Sequence, residues 1–255
     1  MEQDVRSKEY FVCIIDLMGQ KSFFSKIETI PVDEKTRDHI GRVSKGLREI
    51  VKYVQNRYAR CFIDSDDVGV ELFSDSVMLS IRGGSSVDRL RIIKWLDVIV
   101  KVIYVAFRYR LPVRGGVSFG RAERSSEGML YGPAVEKAMT IEAETADYPR
   151  MVIDHSIATD LMQDEGIAAY LTVDVDSTVV LNYAGKSLMD RPEYSRERQE
   201  INGIIQWVQE WYSHFCFPCD LEGDVKPDPK LARRYVMWLE YLSIEKGNWT
   251  RERRG

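Results

Sequence analysis

Short apolar runs and stretches of helical periodicity alternate along the first two thirds of the chain. Tyr10 to Ile15 is apolar and β-prone enough to predict a central strand, and the Asp16-Leu-Met-Gly-Gln-Lys-Ser-Phe-Phe that follows predicts a tight turn into a helix. Ile40, Val43, Leu47, Ile50, Val51, Val54 and Tyr58 recur at helical spacing and mark an amphipathic helix. Val68 to Phe73 and Val77 to Ile81 read as two strands, with Ser74-Asp75-Ser76 as the tight hairpin between them. A second helix runs from Val87 to Arg108 and is ended by Pro112. Leu111 to Arg121 is a further strand, and Gly132-Pro133 opens a helix with proline in its first turn. Leu171 to Tyr183 predicts a hairpin or two strands, in which Asp174 and Asp176 read as turn formers. Two more helices follow. One starts at Glu197 and carries Ile201, Ile204, Ile205, Val208, Trp211 and Tyr212; the other spans Leu231 to Ile244, and a Gly223-Asp-Val-Lys-Pro-Asp-Pro loop separates them.

The chemistry of this pattern lies where strands end. Asp16 closes the first strand and Asp75 sits at the tip of the hairpin. A carboxylate at the end of a buried strand is costly to desolvate unless an opposite charge meets it there. Taken singly, each has an ordinary structural reading, Asp16 as a helix N-cap and Asp75 as a turn residue. If the two strands are neighbours, both carboxylates converge on one hard-cation site, the kind Mg²⁺ fills with a carboxylate pair and phosphate oxygens. The amides of Gly19, Gln20 and Lys21 then form an anion site at a helix N-terminus. Arg114 stands at the entry of the Leu111 to Arg121 strand, where Gly115, Gly116 and Gly120 permit close backbone approach. Tyr53, beside the apolar stripe of the first long helix, is a candidate for stacking on a nucleobase.

The order strand-Asp-Gly, helix, hairpin with Asp, helix, strand with Arg-Gly-Gly-x-x-x-Gly, then Tyr131-Gly-Pro and a helix resembles the catalytic domain of class III nucleotidyl cyclases, over roughly residues 8 to 180. The resemblance implies that Asp16 and Asp75 bind two divalent ions, Mn²⁺ or Mg²⁺, with the main-chain carbonyl of Leu17 as a further ligand. It implies that Gly19, Gln20, Lys21 and Arg114 hold the triphosphate, and that Glu71, four residues before Asp75, reads the base. The pattern breaks in the helix after Gly132. Purine cyclases carry an Asn and, four residues on, an Arg there, where this chain has Glu136 and Thr140. The work of that Arg then falls to another cation, with Arg121, Arg124 and Lys137 as candidates. Tyr131-Gly-Pro-Ala-Val-x-x-Ala-x-x-x-Glu followed by Ala146-Asp-Tyr-Pro-Arg-Met-Val-Ile-Asp154 is more similar to the bacterial pyrimidine cyclases of the Pycsar anti-phage system, a resemblance that extends over the whole chain. Those enzymes make cyclic UMP or cyclic CMP as a signal to a separate effector.

The implied fold is α+β: a ferredoxin-like βαββαβ core with a mostly antiparallel sheet and packed helices, plus a C-terminal helical extension. The expected division is a catalytic domain over residues 1–183 and an extension over residues 184–255 packed on the same domain. The implied reaction converts UTP to 3′,5′-cyclic UMP and pyrophosphate. CTP is the alternative, then a purine cyclase or an inactive nucleotide-binding relative, and the resembled enzymes act as homodimers with sites at the interface. A diguanylate-type enzyme is disfavoured, since its Gly-Gly-Asp-Glu-Phe hairpin is replaced by Phe73-Ser-Asp-Ser.

Composition narrows the partners. A net charge of −4 argues against a general nucleic-acid binder. A mean hydropathy of −0.29, with neither a leader nor a spanning segment, predicts a cytoplasmic protein without a membrane partner. Cys13 and Cys61 read as small buried hydrophobes. Cys216-Phe-Pro-Cys219 has no second pair, and His39, His155 and His214 are too few and scattered to complete a zinc site with it.

Overall fold

The computed structural model describes residues 8–18, 34–61, 68–83, 89–216 and 229–251. Strand β1 (Lys8–Leu17) is buried along nearly its whole length, as its unbroken apolar run requires, and lies between β3 (Ser76–Arg82) and β4 (Val113–Arg124). With α1 (Glu34–Cys61), β2 (Val68–Phe73) and α2 (Arg89–Arg108), these elements follow the order β1-α1-β2-β3-α2-β4. The sheet order β2-β3-β1-β4, antiparallel throughout, gives the expected βαββαβ core.

Side-chain alternation divides this sheet into two unequal faces. Phe11, Cys13, Ile15 and Leu17 of β1 point into the main core with Val77, Leu79, Val113 and Val117, together with the buried faces of α1 and α2. Tyr10, Val12 and Ile14 point the other way, onto a much smaller cluster closed by Ala134 and Ala138 of α3 (Pro133–Thr140). Among the described residues that second face is therefore covered at this end by one short helix, and Asp16, next in the alternation, opens onto it.

Past β4 the sheet goes further than the sequence pattern predicts. β6 (Met151–Ile153) pairs with β4 in the one parallel arrangement among the described strands, and β8 (Val179–Leu181) and β7 (Leu171–Val173) continue the sheet, while β5 (Leu130–Tyr131) pairs with β4 outside that path. The three residues of β6 are too few to stand out as a periodic run, and parallel pairing next to β4 requires the crossover through α3. Two helices, α4 (His155–Gln163) and α5 (Glu165–Ala168), connect β6 to β7.

Arg150, 5% exposed, organises this half. Its guanidinium donates to Asp174 Oδ2 and Asp176 Oδ2, each at 2.7 Å, and to the Thr145 carbonyl at 2.7 Å, while lying over the Tyr148 ring. The Tyr148 hydroxyl also bonds Asp174. Both acids form the turn as expected, accepting from the Val175 and Thr178 amides, and in addition they neutralise a buried cation. Burial works against the ionised Asp176 carboxyl, but the hydrogen bonds from Arg150 and Thr178 hold it down to about 2.

After α6 (Lys186–Met189), the helices α7 (Ser195–Cys216) and α8 (Pro229–Arg251) add to the same core. Trp238 packs on Phe107 and Trp207 at 5.2 and 5.5 Å between ring centroids and donates from Nε1 to the Tyr183 hydroxyl at 2.8 Å. Arg108 of α2 bonds Glu200 at 2.8 Å, and Lys101 pairs with Glu197 at 2.9 Å. Residues on either side of the expected boundary at 183/184 thus share one core. Among the described residues no helix is long and apolar enough to cross a membrane. The helix expected after Asp16, the loop from Gly223 and the second cysteine of Cys216-Phe-Pro-Cys219 lie outside the described residues; Cys13 is buried as expected.

Two outcomes test the Arg150 clamp. Arg150→Met leaves Asp174 buried without its cation and should lower unfolding stability by about 3–5 kcal/mol in a urea titration. A folded-state carboxyl pKa held below its ordinary value of 3.8 adds stability above that value and loses it as pH falls toward about 2. The stability gap between wild type and Asp176→Asn should therefore close between pH 4 and pH 2, and a gap undiminished at pH 2 would contradict the clamp.

Candidate active site

One end of the thinly covered face gathers the charged residues. Asp16 lies directly opposite Ser76 on β3 and Arg114 on β4, so strand register alone puts the three side chains in one row. The Ser76 hydroxyl donates to Asp16 Oδ1 at 2.9 Å, and Arg114 Nε stands 3.5 Å from Asp16 Oδ2. Asp75 occupies the β2–β3 turn, where its carbonyl accepts the Leu17 amide at 3.1 Å and ties the hairpin tip to the end of β1. The two acids that the sequence singles out are thus at one place in the fold, as are Leu17 and Arg114.

A further residue, Glu142, joins them; it closes the Tyr131-Gly-Pro-Ala-Val-x-x-Ala-x-x-x-Glu motif, but the sequence reading gives it no role at the site. Its Oε1 pairs with Arg114 Nη2 at 2.7 Å. Local packing explains its position. Gly116 on β4 has no side chain, and a Cβ there would overlap the Ala138 carbonyl oxygen and the Glu142 amide. With Ala134 and Ala138 equally small, α3 settles against the strand, and Ser118 Oγ reaches the Ala134 carbonyl. The helix then widens into a single π-type turn, Ile141–Thr145, which hangs Glu142 over Arg114. Such wide turns recur at functional sites. A signal was present in the sequence: positions 134, 138 and 142 fall four apart on one helix face, and a glutamate continuing a stripe of buried alanines is out of place there.

The cluster holds more negative than positive charge. Burial pushes the Asp16 carboxyl above the usual carboxylate range; the Ser76 hydrogen bond opposes the rise, the Asp75 charge adds to it, and Arg114 opposes it. Glu142 is raised by burial, with Arg114 opposing and both aspartates adding. Among the described residues two carboxylates thus share one guanidinium with the Asp75 charge acting on both, in a partly buried setting that suits an added divalent cation. Among the described residues no three His, Cys, Asp or Glu side chains lie close enough to hold a metal by themselves.

Glu71 lies on the same face, paired across the hairpin with Met78. It is held by Arg124 Nη1 at 3.2 Å and accepts the Leu130 amide on Oε2 at 3.0 Å. Arg124 also donates to Ser80 Oγ and the Gly128 carbonyl, lying over Gly69, where any Cβ would strike the guanidinium. Burial raises the Glu71 carboxyl, and the Leu130 amide and Arg124 oppose this.

The other sequence candidates lie elsewhere. Tyr53 packs against the main core, on the far side of the sheet from Asp16, because its helix α1 covers that side. Lys137 is committed to Asp154 and to Ser156 Oγ at 3.1 Å, and Arg124 to Glu71. Arg121 is exposed and, by strand alternation, points away from the face that carries Arg114. Glu136 and Thr140 are on the exposed flank of α3, joined by a Thr140 hydroxyl bond to the Glu136 carbonyl. Gly19, Gln20 and Lys21 lie outside the described residues.

No protein-family profile matches the chain, and no curated protein does. Among solved structures it is similar to the adenylyl cyclase CyaB from P. aeruginosa, with 13% identity, a TM-score of 0.45 and coverage of 69% of this chain and 92% of that one. The guanylyl cyclase Cya2 gives 11% identity and a TM-score of 0.45 over 68% and 90% of the two chains. A bacterial light-regulated adenylyl cyclase gives 15% identity and a TM-score of 0.43 over 80% and 98%.

The close approach of α3 to β4 is open to test. Gly116→Ala should force the helix and its π-type turn off the strand, at a cost of roughly 1–3 kcal/mol in unfolding stability. A variant that melts like wild type would show that Gly116 does not set the position of Glu142.

Proposed function

We propose that this chain is a nucleotidyl cyclase that converts a nucleoside triphosphate, UTP by preference, to its 3′,5′-cyclic monophosphate and pyrophosphate. The observation that carries the reading is the meeting of Asp16, Asp75 and Arg114 at one end of a βαββαβ sheet, since these are the residues on which the cyclase resemblance rests. Divalent ions, Mn²⁺ or Mg²⁺, held by Asp16, Asp75 and the Leu17 carbonyl would supply Lewis-acid chemistry to the attacking and leaving oxygens.

The chain's own groups do the positioning. Ser76 fixes the Asp16 carboxylate, and Arg114 offsets charge on the triphosphate, whose oxygens meet the amides of Gly19, Gln20 and Lys21. In the reaction the ribose 3′-oxygen forms a bond to the α-phosphorus, and the bond from that phosphorus to the bridging oxygen breaks. Pyrophosphate leaves with the bonding electron pair, and the 3′-hydroxyl proton passes to solvent. Little covalent work falls to the protein, so geometry and electrostatics dominate.

Glu71 is the base reader of this scheme. An ionised carboxylate only accepts hydrogen bonds, so it takes the N3–H of uracil or the N4 amino hydrogen of cytosine, and Arg124 and the Leu130 amide aim it while opposing the upward push of burial. The pyrimidine preference is further supported by the resemblance over residues 131–154 and by Glu136 and Thr140 in place of the Asn and Arg of purine cyclases. In the same reading the product signals to a separate effector in anti-phage defence, from a cytoplasmic enzyme with residues 1–183 as catalytic domain and 184–255 as extension. A homodimer with shared sites completes it. Exposed Phe73 on edge strand β2, on the same sheet face as Glu71, and exposed Met129 and Tyr131 on either side of Leu130 are apolar groups that support a second copy on this side.

Incubating the purified protein with equimolar nucleoside triphosphates and Mn²⁺, and resolving the products, tests the reaction and the base together. Cyclic UMP should predominate. Cyclic CMP would correct the choice within the pyrimidines, cyclic AMP or cyclic GMP would refute the pyrimidine reading, and no cyclic product with any substrate would refute the enzyme. Asp16→Ala and Asp75→Ala should each lower turnover by roughly a hundredfold or more while leaving the protein folded. Light scattering at assay concentration should give a dimer, and a fully active monomer would exclude shared sites.

A further inference from the structure

Among the described residues, Arg114 is the only Lys or Arg paired with either Asp16 or Glu142, and it is held unequally. Nη2 lies 2.7 Å from Glu142 Oε1, whereas Nε lies 3.5 Å from Asp16 Oδ2 and Nη1 lies 3.5 Å from the Ala146 carbonyl. The guanidinium therefore stands closer to Glu142 than to Asp16, although its ion pair with Glu142 Oε1 lacks hydrogen-bond alignment. Both ends are about equally sheltered, with 13% of the Glu142 side chain exposed and 19% of that of Asp16, so screening does not reverse this order. The backbone fixes the anchor in place: Glu142 hangs from a turn seated on Gly116, and the Ala146 carbonyl sits just ahead of the segment clamped by Arg150.

A divalent ion arriving at Asp16 meets a carboxylate that already has a resident cation. It competes only for the longer of that cation's two carboxylate contacts, because the closer ion pair with Glu142 does not involve Asp16. We infer that Glu142 is a positioning residue that makes metal and Arg114 exchange at Asp16. Without a divalent ion it shares the guanidinium with the acid; with one bound, it keeps the released guanidinium beside the site, where an arriving polyphosphate meets it. This rests on the cyclase reading for what the released Arg114 then binds, whereas the exchange itself requires only a metal at Asp16. Glu142 acts through Arg114 and is not assigned as a ligand.

The test is a titration with Mn²⁺ alone, without nucleotide, followed by the electron paramagnetic resonance signal of the free ion. It compares wild type, Arg114→Gln, Glu142→Gln, Glu142→Asp and the Arg114→Gln/Glu142→Gln double variant, each checked for folding by its melting curve. Arg114→Gln removes the competitor and should tighten Mn²⁺ binding about tenfold. Glu142→Gln lets Arg114 settle wholly on Asp16 and should weaken binding several-fold. In the Arg114→Gln background the same change should act at least threefold less, a coupling that independent charges would not produce. Glu142→Asp keeps the charge and shortens the reach, so it should follow Glu142→Gln, and it serves in its place if Glu142→Gln does not fold. Equal effects of Glu142→Gln with and without Arg114, wild-type behaviour of Glu142→Asp, or unchanged binding in Arg114→Gln would each overturn the inference. A wild type that binds no Mn²⁺ overturns it together with the metal centre. A protein that binds with the expected pattern but forms no cyclic product keeps the inference and loses the cyclase reading.

Discussion

A carboxylate at the end of a strand buried on both faces constrains everything around it. Asp16 has β3 on one side, β4 on the other and a hydrophobic cluster beneath, so its charge must be met laterally by groups that the sheet register supplies. Ser76 and Arg114 are those groups, and each belongs to a strand whose own place depends on β1. Nearby carboxylates add to the load instead of relieving it, and burial raises Asp16 and Glu142 alike. A folded state that carries such a surplus of buried negative charge is less stable than one with the charge matched, and it gains stability from any cation that fills the gap. Affinity for a ligand and local instability without it are thus the same property of this site.

Coverage of the sheet decides where such a site can exist. The face under α1 and α2 is a thick core in which an ion would be stranded far from solvent. On the opposite face, among the described residues, one short helix spans part of β1 and β4, leaving Asp16 and Arg114 close to a fifth exposed and Glu71 and Arg124 partly so. Small residues make this possible. Gly116 with the alanines of α3 brings the helix down onto β4, and Gly69 makes room for a guanidinium to lie across the hairpin. Larger side chains at those positions would lift α3 from the sheet at one end and expel Arg124 at the other.

The βαββαβ core was legible because its signals are local: apolar runs bounded by turn residues, two helices of clear periodicity and a proline at a helix start. Asp16, Asp75 and Arg114 were legible for a related reason, since each sits at a strand end where a charge interrupts an apolar run. β6 was not, because three residues carry no measurable period and their pairing is set by a crossover. Arg124 and Lys137 could be marked as cations from sequence, but not that each already had an anionic partner 53 and 17 residues away in the chain, respectively Glu71 and Asp154. Tyr53 illustrates the same limit from the other side. Helical spacing places it beside an apolar stripe, but which side of the sheet that stripe covers is a tertiary fact.

The Arg150 clamp and the acid cluster treat the same problem in opposite ways. Arg150 is a buried cation with two carboxylates, two further hydrogen bonds and an aromatic ring, so its charge is answered and its neighbourhood fixed although its Nε has no hydrogen-bond partner. Among the described residues the answer at Asp16 is incomplete, and the one cation there stands closer to Glu142 than to Asp16. The two networks are joined through the segment from Ile141 to Arg150, which carries Glu142 and the Ala146 carbonyl at one end and the clamp at the other. A densely bonded network is rigid, and a rigid segment is what an under-neutralised site requires if Arg114 is to be aimed instead of lost to solvent. The stability of one half of the sheet thereby becomes the precision of the other.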